Sequence, residues 1–317
     1  MRASAPTLSV LTYHRIGDPR QGPPGLISAT PATFERQMRW LASTGRAVSL
    51  DDLLRARDGG DGLPHHAVLV TFDDAYRDFE THAWPVMRRH GVPVVLFVPT
   101  GFPDRPDRAF WWDRLFAALE GARGEVATPL GPLGLHRRAE RWRAYRALCE
   151  YLLSLPHDRA MALVDELVER LGAPPPRAAV LSWAALRRLA AEGVALGAHS
   201  VTHARLNRVP SERVAEEIAG SVQDLFRQTG RAPAAFAFPG GRVPGDPGPA
   251  LERAGVRVAF TTARRVNRRD RIAWLEVGRL NVGRRTPPAV LRARLALRMD
   301  GARPARPRWT AGASTTA

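Results

Sequence analysis

The sequence contains no lysine: all 47 basic residues are arginine, against 31 acidic ones, giving a formal net charge of +16. A surplus of that size can mark a nucleic-acid partner. The arginines are spread along the chain, however, with only local pairs such as Arg88-Arg89, Arg137-Arg138 and Arg264-Arg265. Exclusive use of arginine is what a GC-rich coding sequence produces, so no nucleic acid is expected. An acidic glycan, a lipid-phosphate-linked sugar or peripheral contact with an anionic membrane surface suits the charge instead. The single cysteine, Cys149, excludes an intramolecular disulfide and reads as a buried apolar residue of a helix. No stretch approaches the length of a transmembrane helix. The residues Met1 to Pro6 run into a strand without the apolar core and cleavage site of a signal peptide. The expected location is therefore the cytoplasm.

What is present is an alternation of apolar strands and amphipathic helices. Leu8–Tyr13 is short and β-rich; Thr30 caps a helix that begins at Pro31 and carries Phe34, Met38 and Leu41 on one face. Ser49 with Asp52 predicts a second capped helix. Ala67–Phe72 and Val94–Val98 are almost wholly apolar, as parallel strands covered on both faces are. Further strands are expected at 194–198, 234–238, 256–261 and 276–282, with helices between them and a stripe of Val214, Ile218, Val222 and Leu225. Seven strands, six of them separated by helical segments, predict one α/β domain over residues 1–300, a closed or nearly closed (β/α) barrel. Residues of about 103–178 interrupt the rhythm with long helical patterns and end in Pro174-Pro175-Pro176; they are expected to form a helical insertion on the barrel. The Pro-, Arg-, Ser- and Thr-rich stretch 301–317 is expected to be a disordered tail.

Barrels of this kind place their active sites at the C-terminal ends of the strands. At those ends stand His14, the pair Asp73-Asp74, the pair His199 and His203, and Pro239-Gly240-Gly241. Two imidazoles and a carboxylate can hold a divalent metal with positions left open for water, and such a donor set suits zinc, cobalt, nickel, iron or manganese. Of two adjacent carboxylates, one can bind the ion while the other acts as a base. Each element alone is common in turns and caps; their succession, each after its own buried strand, is not.

These residues carry a resemblance. Val70-Thr71-Phe72-Asp73-Asp74 followed by Ala75-Tyr76 resembles the first motif of the polysaccharide deacetylases, the NodB-homology or carbohydrate esterase 4 group. His199-Ser200-Val201-Thr202-His203 is similar to their second motif, and Leu11 to Ile16 and Phe236 to Gly241 resemble the opening strand and third motif of one branch. The resemblance implies a distorted (β/α)7 barrel and hydrolysis of an N-acetyl group on a hexosamine of a glycan or glycan precursor. It further implies a metal, zinc above all, on Asp74, His199 and His203. Asp73 would be the base that takes a proton from the water the metal activates. A backbone N–H near Gly240, after Pro239, would help hold the oxyanion.

The sequence also departs from the family pattern. Ala75 replaces a glycine, Ala237 stands where many members have an arginine beside the catalytic aspartate, and Gly240 replaces an aromatic. In Leu275–Leu280, where many members have a catalytic histidine, there is Arg279 and no histidine. His14, at the same rim, is the expected general acid. Tyr76, Trp112 and Arg279 are further expected to line the substrate site together with Pro239 and Gly240. The same residues admit two other readings, a different C–N amide hydrolase on this scaffold and a non-catalytic glycan-binding relative.

Overall fold

The computed structural model describes residues 6–296 except 19–21, 24, 61, 175, 177–178 and 266. The expected tail 301–317 and the C-terminal boundary of the insertion at 178 lie outside the described residues. Seven segments form the barrel: Thr7–Tyr13 (β1), His66–Phe72 (β2), Val94–Val98 (β3), Ala195–Ala198 (β4), Ala235–Ala237 (β5), Val258–Phe260 (β6) and Leu280–Asn281 (β7). Each pairs in parallel with its sequence neighbour from β1 to β6. The last segment was expected to be one strand over 276–282. It instead divides its pairing: Val277 bridges Phe260 of β6, whereas Leu280 and Asn281 of β7 pair with Leu11 and Thr12 of β1. Closing a ring of tilted strands requires a stagger, so this segment leaves one neighbour before it meets the other.

The pleat sorts side chains into two layers. Leu8 and Val10, Ala67 and Leu69, Val95 and Phe97, Ala235 and Ala237, Val258 and Phe260, and Val277 form the apolar filling of the barrel. The alternate residues, Leu11, Tyr13, Val68, Val70, Phe72, Leu96 and Phe236 among them, pack outward against the helices. Continuing the inward rows through Thr12, Thr71 and Gly197 brings His14 to the end of β1, Asp73 to the end of β2 and His199 to the end of β4. Gly197 belongs to that row because a Cβ there would lie 2.4 Å from the Phe97 ring. Only glycine leaves room for that ring between β3 and β4.

The helices begin where the sequence places caps. Thr30 accepts a bond of 3.2 Å from the Thr33 amide at the start of Pro31–Ser43 (α1), and Ser49 and Asp52 form a reciprocal capping box on Leu50–Arg57 (α2). Within residues 103–178 lie Trp111–Gly121 (α3), Arg138–Ser154 (α4) and His157–Arg170 (α5), with their own apolar core around Leu115, Tyr145, Leu148 and Val164. This stretch also contains an antiparallel hairpin, Glu125–Thr128 with Gly131–Gly134, which the helical patterning did not announce. Its strands are four residues each and mostly not buried, so they carry little apolar signal. A further helix, Ser211–Thr229 (α6), covers β4 and ends in a left-handed Gly230.

Candidate metal and catalytic centre

The Asp pair sits on a turn whose backbone is under strain. Asp74 and Ala75 have φ of 72° and 49°, and Ser200 and His203 have φ of 62° and 57°. Left-handed backbone at non-glycine residues is costly and concentrates at functional sites. Here it turns Asp74 away from the inward row of β2, so that the two carboxylates face different partners.

Asp74 meets the two histidines. Its Oδ1 lies 3.5 Å from Nε2 of His199 and 3.1 Å from Nε2 of His203, and all three groups can offer a ligand atom within 4.8 Å of one another. That Oδ1 is buried yet has no hydrogen-bond donor. An acceptor desolvated in this way is unfavourable unless something positive fills the space between it and the imidazoles. Nδ1 of His199 is 2.7 Å from the Ala237 carbonyl, which can only accept. Nδ1 therefore carries the proton and Nε2 presents a lone pair, as a histidine ligand must. Burial alone would raise the Asp74 carboxyl; protons on the facing His199 and His203 nitrogens, whose place a cation would take, outweigh it and hold it below the usual carboxylate range. The donor set of one carboxylate and two imidazoles fits a divalent cation.

The loop from His199 to His203 is pinned from beneath. Glu217 on α6, 4% exposed, accepts bonds of 2.8 Å from the amides of Val201 and Thr202 and a further one from the Thr202 hydroxyl. The Val214–Ile218 stripe was legible in the sequence, but a carboxylate inside it was not assigned a role. A buried glutamate on an otherwise apolar face was the available signal.

Asp73 is held by Arg279. The guanidinium donates to both carboxylate oxygens, at 2.7 and 2.8 Å, to the Thr261 carbonyl at 3.0 Å and to the Thr71 hydroxyl at 3.3 Å. Arg279 is 1% exposed and lies over the Phe97 ring. The structure thus places it inside the barrel beneath Asp73, not in the cleft where the sequence reading put it. Burial raises the Asp73 carboxyl; the charges of Arg279 and His199 outweigh it, and the group is held below its ordinary value. His14 completes the cluster: its Nε2 is 4.0 Å from Oδ2 of Asp73 and its side chain is 25% exposed.

Tyr76 is likewise placed behind the His199–His203 loop, fully buried. Its hydroxyl donates to Asp113 at 2.8 Å and accepts from the Trp112 indole at 2.8 Å. Trp112 in turn stands edge-on to His203, with ring centroids 5.0 Å apart. The insertion therefore reaches the His199–His203 loop through a polar chain and an aromatic contact. A cleft of about 240 Å³ starts at His203 and is walled by Phe110, Trp111, Arg108, His157 and Met161. Gly240, exposed with φ of 64°, and the buried Pro239 follow Ala237 on the same rim.

Burial pushes the Asp113 carboxyl from an ordinary value of 3.8 up to about 6, against the opposing effects of the Tyr76 hydroxyl and Arg15. Because the folded state favours the protonated form, its contribution to stability is complete below the unfolded value and is lost as pH rises through about 6. Asp113→Asn, which keeps an acceptor for Tyr76, is expected to be more stable than wild type by roughly 2–3 kcal/mol above neutral pH and equal to it in acid. Urea unfolding at both pH values measures this, and a difference independent of pH would refute it.

Comparison with known proteins gives concordant matches. A family model described as Polysaccharide deacetylase matches residues 60–259. The poly-beta-1,6-N-acetyl-D-glucosamine N-deacetylase of Escherichia coli (strain K12) is 30% identical over 92 residues, which are 29% of this chain and only 13% of that protein. Among solved structures, the Streptococcus pyogenes deacetylase PplD in complex with acetate superposes with a TM-score of 0.62 at 17% identity, covering 91% of this chain and 97% of that one. IcaB from Ammonifex degensii gives a TM-score of 0.60 at 20% identity, over 92% of this chain and 98% of that one. At such identities the shared property is the fold.

Proposed function

Because this chain belongs to the polysaccharide deacetylase family, a family of carbon–nitrogen hydrolases, we propose that it removes N-acetyl groups from an N-acetylhexosamine unit of a glycan or glycan precursor. The observation that carries the reading is the pairing of two sites on one rim: a three-ligand set with an orphaned carboxylate oxygen, and beside it a second carboxylate held by an arginine. A glycan binder needs neither.

Asp74, His199 and His203 would hold the ion, for which zinc is the proposed identity. A divalent ion there supplies Lewis acidity toward the acetamide carbonyl and lowers the pKa of water. Asp73 stands ready as the base that accepts the proton of the attacking water, its ionised form secured by Arg279. The arginine fixes both oxygens in place, at the expense of some basicity. His14, partly exposed and next to Asp73, gives a proton to the departing amine. The rim at Gly240, whose lack of a side chain leaves its backbone exposed, offers an N–H to the developing oxyanion. Trp111, on the cleft wall, presents a face for a sugar ring.

The test is acetate release from N-acetylglucosamine oligomers by zinc-loaded protein. Activity abolished by chelation and restored by zinc is the expected result. His14→Ala is expected to slow turnover by about 10²-fold with the metal retained. A protein that binds zinc tightly yet releases no acetate from any acetamido sugar would point to a different amide substrate, and one that binds no divalent ion would remove the catalytic reading.

A further inference from the structure

We propose that Arg205, Arg208 and Arg242 form an anion subsite on the rim of the cleft that receives the phosphate of a phosphorylated N-acetylhexosamine. The proposal rests on the deacetylase reading for its substrate sugar, and on the following placement for its charge.

Arg205 lies two residues beyond the ligand His203 and is tied to the insertion, its Nη1 donating to the Leu153 carbonyl of α4. Its Nε is 3.8 Å from the point that a Cβ on Gly240 would occupy. A guanidinium thus stands beside the position where a side chain of the third motif is missing. Arg208 follows on the short helical turn Leu206–Arg208, with its amide bonded to the Arg205 carbonyl at 2.8 Å. Arg242 is two residues beyond Gly240, and both Arg208 and Arg242 are exposed. The recess beside Arg205 and Arg208 is also walled by Trp111 and His157, two residues that line the cleft starting at His203. Arg205 and Arg208 therefore stand beside the cleft, across the shared wall of Trp111 and His157.

These three charges are uncompensated. Among the described residues no carboxylate lies within ion-pair distance of any of them, whereas Arg213 and Arg227 elsewhere on the surface hold Asp158 and Asp224 respectively. Burial, together with the like charges of Arg208 and Arg242, lowers the Arg205 guanidinium from its ordinary value. Like charges on the Gly240 rim without a counter-charge favour an anion, and the planar donor fork of arginine matches phosphate oxygens. A neutral oligosaccharide would leave the repulsion in place. A phosphate on the anomeric oxygen is the chemistry shared by nucleotide-linked and lipid-linked sugars.

The experiment is calorimetric titration of the zinc-loaded full chain with N-acetylglucosamine and with N-acetylglucosamine 1-phosphate. Wild type is expected to bind the phosphate ester at least about tenfold more tightly, as charge-assisted hydrogen bonds allow. The preference should vanish in the double variant Arg208→Ser/Arg242→Ser, whose changes are at exposed side chains. Parallel titrations with UDP-N-acetylglucosamine and with farnesyl-diphosphate-linked N-acetylglucosamine tell the two sources apart, and tight binding of either that the double variant loses supports the subsite. Three results overturn it: no preference for phosphate, a preference that the double variant retains because the metal centre holds the phosphate, or arginine-dependent binding of phosphatidylglycerol vesicles without discrimination among the sugars. None of these readouts requires turnover, so a failure of the hydrolase reading would be seen separately, as absent acetate release.

Discussion

Asp73→Asn is expected to lower the rate of acetate release by about 10³-fold while the bound metal remains, since a positioned base contributes roughly 10²- to 10⁴-fold. The two halves of that expectation come from different residues. The ligand set Asp74, His199 and His203 is untouched by the change, and Nδ1 of His199 remains bonded to the Ala237 carbonyl. The rate falls because the amide cannot take a proton from water. Its NH₂ group also faces an Arg279 nitrogen that formerly met an oxygen, so one of the two bonds of 2.7 and 2.8 Å is replaced by two donors in contact. Some stability is lost with it, and the assay belongs well below the melting temperature. Acetate measured by a coupled assay, beside zinc measured on the same sample, checks both halves. Should Asp73→Asn retain a tenth or more of the activity with full metal content, the base would have to be sought at His14, 4.0 Å away.

Most of the barrel was legible because its strands are apolar on both faces and its helices are capped by residues with mechanisms. Thr30 with Pro31 and Ser49 with Asp52 mark starts that the structure reproduces. The grouping of Asp74, His199 and His203 was legible through their position after buried strands. Arg279 was not, and the reason is instructive. The sequence suggested a missing arginine at Ala237 and a missing histidine in 275–280, two losses with no stated link. The structure instead brings Arg279 to Asp73, from the opposite side of the ring closure. Parity would have found it: Ala67, Leu69 and Thr71 lead inward to Asp73, and Val277 leads inward to Arg279. Their meeting depends on ring closure, where β7 pairs with β1, and strand counting alone does not fix that register. Tyr76 was misplaced for a related reason. A tyrosine beside a motif reads as a substrate contact, but two left-handed residues before it, Asp74 and Ala75, turn the chain back into the core.

Arg279→Met is expected to destabilise the protein by about 3–5 kcal/mol, the range for removing one partner of a buried ion pair. Methionine fills much of the volume against Phe97, so the loss falls on the polar groups: Asp73 keeps a buried charge without its bidentate partner, and the Thr261 carbonyl loses its donor. The pH dependence follows from the direction of the Asp73 shift. In wild type, burial raises the carboxyl but Arg279, then His199, outweigh it and hold it below its ordinary value. A depressed acid contributes stability above its unfolded pKa and loses it as pH falls through the folded one, so the wild-type contribution persists into acid. With methionine at 279 the largest opposing charge is gone, burial prevails more fully, and the proton is taken up at higher pH. The acid limb of acetate release should therefore move upward in the variant, because a protonated Asp73 is no base. Arg279→Lys should restore charge without the two-oxygen grip, recovering part of the limb and little of the turnover. In the double variant Asp73→Asn/Arg279→Met, neither partner carries a charge, and unfolding should require more denaturant than in Arg279→Met alone. Additive losses in that cycle would mean that the two side chains contribute independently, and the assignment of Arg279 as the residue that positions Asp73 would fall.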